Sequence, residues 1–287
     1  AKECNGCHVQ LDRVPLKYPG MAPWEIWISE SQERMTLAIP KEKLKEFMDL
    51  VQRREVEATV IGKFTDSGRC VVEYHGEIVM DIELDFLHDG LPKKHLKTTY
   101  TQKKYPEPLI ACPQRLDQTL LSMMQRKNIC STEYISTQYD HTVQGGYVLG
   151  PVEGKGRVQA GTTLTKVVLD SPKGVGLSQG IFPSYSEIDP YHMAGAAIDT
   201  AIRGLIGIGI SLDRIALLDN FCWCSSDEPE RLGQLKLAAK GCYDFATAFG
   251  TPFISGKDSM FNDFSGFDAG SNPVKISVPP TLLISSI

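Results

Sequence analysis

The sequence predicts an α/β (α+β) protein in two parts, and three observations carry that expectation. Runs of strand length and β character are interleaved with helical periodicities. Two long helices in the later part have legible starts and stops. Between the parts, from Leu87 to Asp117, apolar periodicity lapses, and Lys93, Lys94, Lys97, Lys103 and Lys104 alternate with Pro92, Pro106, Pro108 and Pro113. That composition reads as a linker or surface strap whose lysines are those of a solvated connector. The domains expected are residues 1–86, a linker over 87–118, and residues 119–287.

Val9 and Leu11 alternate with Gln10 and Asp12, as in a half-buried strand, just after the turn pair Asn5-Gly6. Pro15, Pro19, Gly20 and Pro23 break the pattern. In "KEKLKEFMDLVQRRE", Leu44, Phe47, Met48 and Val51 fall at i, i+3, i+4 and i+7, the pattern of an amphipathic helix. "ATVIGKF" and "RCVVEYHGEIVMDIEL" supply strands, the second pair turning at His75-Gly76 as a hairpin. Further on, "TTLTKVVLD" and "GVGLSQGI" are strands around Pro172-Lys173-Gly174. Asp189 as cap and Pro190 at the first helical position open a helix through Met193, Ile198, Ile202 and Leu205. "RIALL" reads as a short buried strand ending at Asp219-Asn220. A second helix, Pro229 to Phe249, places Leu232, Leu235, Cys242, Phe245 and Phe249 inward and stops at Gly250. "PFIS" is a strand delivering the loop "SGKDSMFND".

At 287 residues, 42% hydrophobic and 23% charged, the chain has material for two cores of soluble globular type. It shows no apolar run of about 18 residues and no basic start followed by a short apolar stretch, so the expected location is the cytosol and no membrane partner is expected. A net charge of -5 gives no reason to expect nucleic acid. The chain starts at Ala1 and stops in "TLLISSI", a strand-like run that no turn closes, so it is expected to be a piece of a longer polypeptide. Eight irregularly spaced cysteines read as reduced, mostly buried thiols. "CNGCH" at residues 4–8 matches the Cys-x-x-Cys-His of haem attachment. Haem attachment normally needs export, however, and zinc on Cys4, Cys7 and His8 would want a fourth ligand. Ordinary thiols at a turn are the expectation.

Chemistry concentrates where two strands give way to polar clusters, at Asp219-Asn220 and at Gly256-Lys257-Asp258-Ser259. Ligands gather at strand ends because side chains and backbone N–H groups converge there. A carboxylate suits magnesium, glycine lets backbone approach a phosphate, and lysine neutralises charge. Together they suggest a nucleotide site, although a plain loop with a capping Asp or Ser fits "GKDS" as well. Asp199 and Arg203 lie four apart on one helix face, either an ion pair or part of a site. Asp140-His141 precedes Gly145-Gly146, either a turn or a site. "SESQERM" crowds Glu30, Ser31, Gln32, Glu33 and Arg34 between apolar flanks, as a polar ligand site or a capped helix start would.

"LDRVPLKYPGMAPWEIWISESQERM", "QYDHTVQGG" and "SGKDSM", in this order and at these separations, resemble phosphoribosylformylglycinamidine synthase, the amidating enzyme of purine biosynthesis. The resemblance extends over essentially the whole chain. It implies two tandem halves, each like aminoimidazole ribonucleotide synthetase. This chain would hold the end of the first half's C-terminal-type α/β domain, then the second half's N-terminal-type domain, whose sheet forms half of a β-barrel. The implied reaction converts formylglycinamide ribonucleotide, ATP and glutamine-derived ammonia to formylglycinamidine ribonucleotide through an iminophosphate, with magnesium. A glutaminase domain or subunit is an implied partner, as are the missing halves or a second copy of this chain.

Position by position, the resemblance implies substrate binding by Glu30, Ser31, Gln32 and Ser259, and nucleotide binding by Asp219 and Gly256. Lys257 stands where many members have a magnesium-binding asparagine; a protonated lysine cannot ligate the metal, and a salt link to phosphate replaces it. Asp140 and Asp199 match metal ligands of an auxiliary nucleotide site in large members. Arg203 stands where that site has asparagine, which implies a site weakened or emptied by an Arg203–Asp199 pair. The catalytic histidine and the glutaminase fall outside this chain, so no catalytic residue is expected in it. The alternative is a non-catalytic scaffold half with a decayed nucleotide site. A selenophosphate or aminoimidazole ribonucleotide synthetase is disfavoured by ESQERM.

Overall fold

The structure, a computed structural model, describes residues 2–30, 34–138, 142 and 145–287. The chain forms two compact units, Ala1–Lys94 and His95–Ile287. In the first, the chain passes through β1 (Cys7–Gln10), α1 (Pro23–Ile28), α2 (Leu44–Arg53), β2 (Gly62–Phe64), β3 (Arg69–Tyr74), β4 (Glu77–Glu83) and α3 (Leu84–Asp89). The sheet order is β2-β1-β3-β4, with β1 and β3 parallel and the other pairs antiparallel. Cys7, Cys70 and Val72 alternate inward from β1 and β3, and with Leu11, Ile26 and Leu84 they form the core of this unit. The hairpin turns at His75 (φ 50) and Gly76 (φ 85), the two positive φ values a two-residue primed turn requires. In α2 the expected stripe of Leu44, Phe47, Met48 and Val51 is half-buried, while Lys45, Glu46 and Asp49 are exposed.

The "CNGCH" stretch runs into β1, and the pleat separates its members: Cys7 Sγ lies 3.4 Å from Cys70 Sγ, whereas His8 Nε2 meets Glu73 Oε2 at 3.0 Å. Burial pushes the Cys70 thiol up to about 12, helped by its hydrogen bond to Cys7.

The second unit contains α4 (Leu116–Met124), α5 (Glu133–Ser136), β5 (Tyr147–Leu149), β6 (Val152–Glu153), β7 (Val158–Gln159), β8 (Thr162–Lys166), β9 (Gly174–Ile181), α6 (Pro190–Gly207), β10 (Leu217–Cys222), α7 (Pro229–Phe249), β11 (Phe253–Ser259), β12 (Phe264–Phe267), β13 (Pro273–Ile276) and β14 (Thr281–Ser286). Among the described residues its main sheet has the order β11-β10-β14-β9-β8-β5. Only β10 and β11 pair in parallel, joined by α7 as a βαβ unit, and β14, the last strand in sequence, lies between β10 and β9. Helices α6 and α7 cover one face, with Met193, Ile198, Ile202, Leu205, Leu217, Trp223, Leu282 and Ile284 essentially inaccessible. On the other face the alternation places Leu177 and Ile181, each 48% exposed, beside half-buried Val175, Leu218 and Leu283.

Helix α6 begins as its sequence requires: Asp189 Oδ1 accepts from His192 N at 3.1 Å, and Pro190 follows the cap. Helix α7 ends at Gly250 with φ 70. Several expected boundaries move: β1 ends at Gln10, with Leu11–Arg13 a 3-10 turn, and "ATVIGKF" is strand only from Gly62. "TTLTKVVLD" is strand only to Lys166, where its register with β9 runs out at Gly174. The strands expected to end at Leu218 and Ser255 continue to Cys222 and Ser259. Each residue pair from Leu218↔Ser255 to Cys222↔Ser259 is laddered, and β14 supports β10 from the other side, so polar side chains do not end strands whose backbone groups are satisfied. The lysine- and proline-rich segment has no regular structure between the end of α3 and the start of α4, yet its Thr99–Tyr105 part is docked within the second unit. Thr99 N donates to Pro229 O at 3.0 Å, and the exposed Lys103 Nζ meets Glu187 Oε2 at 2.9 Å.

Candidate functional site

The pairing of β10 and β11 brings together the residues that the sequence separates by more than thirty positions. Asp219 stands opposite Gly256, Asn220 opposite Lys257, Phe221 opposite Asp258, and Cys222 opposite Ser259. Parity sorts them by face: Asp219 and Asp258 point to the α7 side, Lys257 and Ser259 to the open side. Ser259 lies one strand across from Asp219 and three residues along, roughly 10 Å at strand rise.

Asp219 occupies space that Gly256 leaves. A Cβ on Gly256 would overlap Asp219 Oδ1 and stand 2.8 Å from its Cγ. The pocket holding this carboxyl raises its pKa, first because burial disfavours the charge and then because it shares a hydrogen bond with the Asp258 carboxyl. Cys242 reaches the same place from α7, and burial together with the Asp219 and Asp258 charges pushes its thiol up to about 12. Two carboxyls on one face of β10 and β11 are an oxygen donor set of the kind magnesium takes when ionised.

The carboxyl ends of β9, β10 and β11 and the N-termini of α6 and α7 lie at one end of this unit, as the β9-α6-β10-α7-β11 connectivity dictates. Side chains there are tightly paired. Arg231 Nη1 donates to Glu187 Oε1 at 2.6 Å and to Gln234 Oε1 at 2.9 Å, and Trp223 Nε1 donates to Arg231 O at 3.0 Å. The guanidinium of Arg231, then the ammonium of Lys103, hold the Glu187 carboxyl below its ordinary value. Asp263 Oδ2 accepts from Ser225 N at 3.1 Å and meets Lys275 Nζ at 3.4 Å. These residues escaped sequence reasoning. Asp258, Asn262 and Asp263 stood in the quoted "SGKDSMFND" loop, whereas Glu187 and Arg231 carried no local signal.

The remaining expected positions are placed as follows. Glu30 is exposed two residues beyond the end of α1, whose start is tied by Ala22 N donating to Glu25 Oε2 at 2.7 Å. Ser31, Gln32 and Asp140 lie outside the described residues. Arg203 Nε donates to Asp199 Oδ2 at 2.6 Å across one turn of α6, so a guanidinium occupies that carboxylate. Among the described residues no group of three or more His, Cys, Asp or Glu side chains is arranged to hold a metal ion, and no helix is long and apolar enough to cross a membrane.

Residues 1–75 match the profile of the family "AIR synthase related protein, C-terminal domain". The chain is similar to the phosphoribosylformylglycinamidine synthase subunit PurL of Methanocaldococcus jannaschii, 35% identical over 90% of this chain and 34% of that protein. It is 31% identical to the same subunit of Methanothermobacter marburgensis over 100% of this chain and 38% of the relative. The chain therefore spans little more than a third of the length of these curated relatives. Among solved structures, T. maritima PurL complexed with ADP superposes with a TM-score of 0.67 at 24% identity, over 100% of this chain and 43% of that one. T. maritima PurL complexed with FGAR gives 0.65 at 23% identity, over 98% of this chain and 40% of that one. The fold is that of the corresponding part of PurL, and the resemblance read from the motifs holds over nearly the whole chain.

Proposed function

We propose that this chain, similar over nearly its full length to part of PurL, contributes nucleotide- and substrate-binding surface to an ATP-dependent ligase of purine biosynthesis. The ligase makes formylglycinamidine ribonucleotide from formylglycinamide ribonucleotide and glutamine-derived ammonia. The observation that carries the reading is the register of β10 on β11, which sets Asp219 against Gly256 on one face of the strand pair and Lys257 and Ser259 on the other. Support comes from the relatives' names and from the ADP and FGAR complexes of the T. maritima protein.

In this reading Asp219 and Gly256 hold ATP, Lys257 neutralises its phosphates, and Ser259 contacts the ribonucleotide. Glu30, Ser31 and Gln32 are proposed as substrate-binding positions on the motif resemblance alone. An amide is a poor electrophile with a poor leaving group. Phosphorylating its oxygen converts that oxygen to a leaving group, and ammonia then displaces phosphate from the iminophosphate carbon. Such chemistry needs positioned charge and exclusion of water. Magnesium would supply charge neutralisation on the nucleotide, with Asp219 and Asp258 as the carboxyls able to face it. The Asp140 and Asp199 auxiliary position is proposed to be weakened, because Arg203 is already bound to Asp199. That ion pair is also the one observation favouring the second reading, a scaffold half with a decayed site.

The open sheet face is proposed to be covered by the missing half of the same polypeptide, or by a second copy when this chain is alone. A glutaminase is the proposed ammonia source, and the cytosol the proposed location. The test is complementation of a purine auxotroph by the complete synthase with and without Asp219→Ala. Growth is expected to be lost with the substitution, and unaltered growth would remove Asp219 from the site.

A further inference from the structure

We infer that Asn262 is a positioning residue for Ser259, holding the serine oxygen so that its hydroxyl hydrogen is offered to an oxygen of the bound ribonucleotide. The inference rests on the proposed substrate role of Ser259 and adds the partner that makes this hydroxyl a donor of fixed direction.

Ser259 closes β11, and the chain then reverses through Phe261, a non-glycine residue held at φ 58. Backbone in that region is costly for a bulky residue and persists only where the surroundings enforce it. Here they do. Trp223 N donates to Ser259 O at 2.8 Å, and Asn262 N donates back to Trp223 O at 3.1 Å. Asp263, next in the chain, accepts from Ser225 N at 3.1 Å and from Val278 N at 3.3 Å. The reversal carries the Asn262 amide back to the end of the strand.

Asn262 Nδ2 lies 3.1 Å from Trp223 O, 2.9 Å from Ser259 O and 3.0 Å from Ser259 Oγ. Two of these partners are carbonyl oxygens, which only accept, so the amide must present its NH2 group here and not its oxygen. An NH2 group has hydrogens and no available acceptor. With two hydrogens for three acceptors the amide shares one of them, and its contact with Ser259 Oγ has one possible direction: the amide donates and the serine oxygen accepts. The serine's own hydrogen must point elsewhere, and it faces Phe221 O at 3.4 Å, longer than a good O–H···O bond. That hydrogen is weakly held, so an acceptor arriving closer takes it with little loss. The oxygen is fixed, the hydrogen is free, and the hydroxyl is half-buried beside Lys257. A phosphate or sugar oxygen of a ribonucleotide is an acceptor for this hydrogen.

A merely structural role for Asn262, through its bond to the Trp223 carbonyl, is separated by a double-mutant cycle on the complete synthase. Asn262→Ala is expected to raise KM for formylglycinamide ribonucleotide by about three- to ten-fold, the worth of one ordinary hydrogen bond, and to leave KM for ATP nearly unchanged. The double variant Ser259→Ala with Asn262→Ala is expected to bind the ribonucleotide no worse than Ser259→Ala alone, because the effect travels through the hydroxyl. Asn262→Asp keeps the shape but accepts instead of donating, so it captures the serine hydrogen and is expected to raise the same KM at least as much. Additive effects of the two alanine substitutions, or equal rises in both KM values, overturn the inference. So does an unchanged ribonucleotide KM in Asn262→Ala when Ser259→Ala raises it. An unchanged KM in Ser259→Ala itself overturns the substrate role of Ser259 first and the inference with it.

Discussion

Gly256 has no side chain where the Asp219 carboxyl needs the room, and this single steric fact couples two residues 37 positions apart. Gly256→Ala is expected to push Asp219 off its seat, lowering stability by about 1–3 kcal/mol in denaturant titration, and to weaken Mg-ATP binding measured by calorimetry on the complete protein. Asp258 acts on the same carboxyl by charge. Because burial and Asp258 raise the folded-state pKa of Asp219, the stabilisation from its bound proton is present in acid and is lost as pH rises through that raised value. Cys242, facing the pair from α7, stays protonated throughout, with its thiol pushed up to about 12. Asp258→Asn is therefore expected to raise urea midpoints at neutral pH, by about 1 kcal/mol or less after solvent screening, and to flatten their decline from acid to neutral pH. A decline as steep as in the wild type would mean that Asp258 is not the neighbour responsible. Sequence reasoning picked out Asp219, Gly256, Lys257 and Ser259 as strand-end clusters, and the resemblance assigned their individual roles. It quoted Asp258 in the strand-end cluster without assigning it a role and passed over Asn262, because their partners are set by register and by a chain reversal, neither of which has a local signature.

At the scale of elements, helices were the most legible. Caps and periodicity identify α6 and α7 nearly residue for residue, since a helix satisfies its own backbone and needs only a face to bury. Strand ends were less so: β10 and β11 extend through their polar residues because each has a neighbour to ladder with. The contact of β9 with α6 shows what such packing demands. A Cβ at Gly180 would overlap the Ala197 carbonyl oxygen and stand 2.9 Å from its carbon. Gly180→Ala is expected to lower the urea midpoint by the equivalent of about 1–3 kcal/mol, through overpacking rather than lost contacts. Asp189→Ala is expected to lower it by about 1 kcal/mol, since it removes the cap of α6 along with the Gln102 and His192 contacts.

For the molecule as a whole, the order of strands is decisive. Strand β14 comes last in sequence but sits in the middle of its sheet, paired to both β10 and β9. Deleting residues 281–287 is expected to abolish cooperative unfolding of the second unit, read by near-ultraviolet circular dichroism, because β9 and β10 lose their shared neighbour and Leu282 and Ile284 leave the core. The open face should also declare itself in solution. The chain alone is expected to associate at micromolar concentration by light scattering, and Leu177→Lys with Ile181→Lys should shift it to monomer. A wild-type chain that stays monomeric would count against the proposed covering of that face.

By itself the sequence determined the alternation of strands and helices, the caps, the hairpin at His75-Gly76 and, through three motifs, the resemblance to the amidating synthase. These depend on neighbours within a few residues or on long matching strings, and such information is written along the chain. Tertiary structure alone decided that Asp219 and Asp258 lie on one face of β10 and β11, that Asn262 reaches Ser259, that Lys103 is tied to Glu187, and that the last strand is central. Each of these depends on which distant backbone segments pair and in what register, a choice made by collective burial and hydrogen bonding across the sheet.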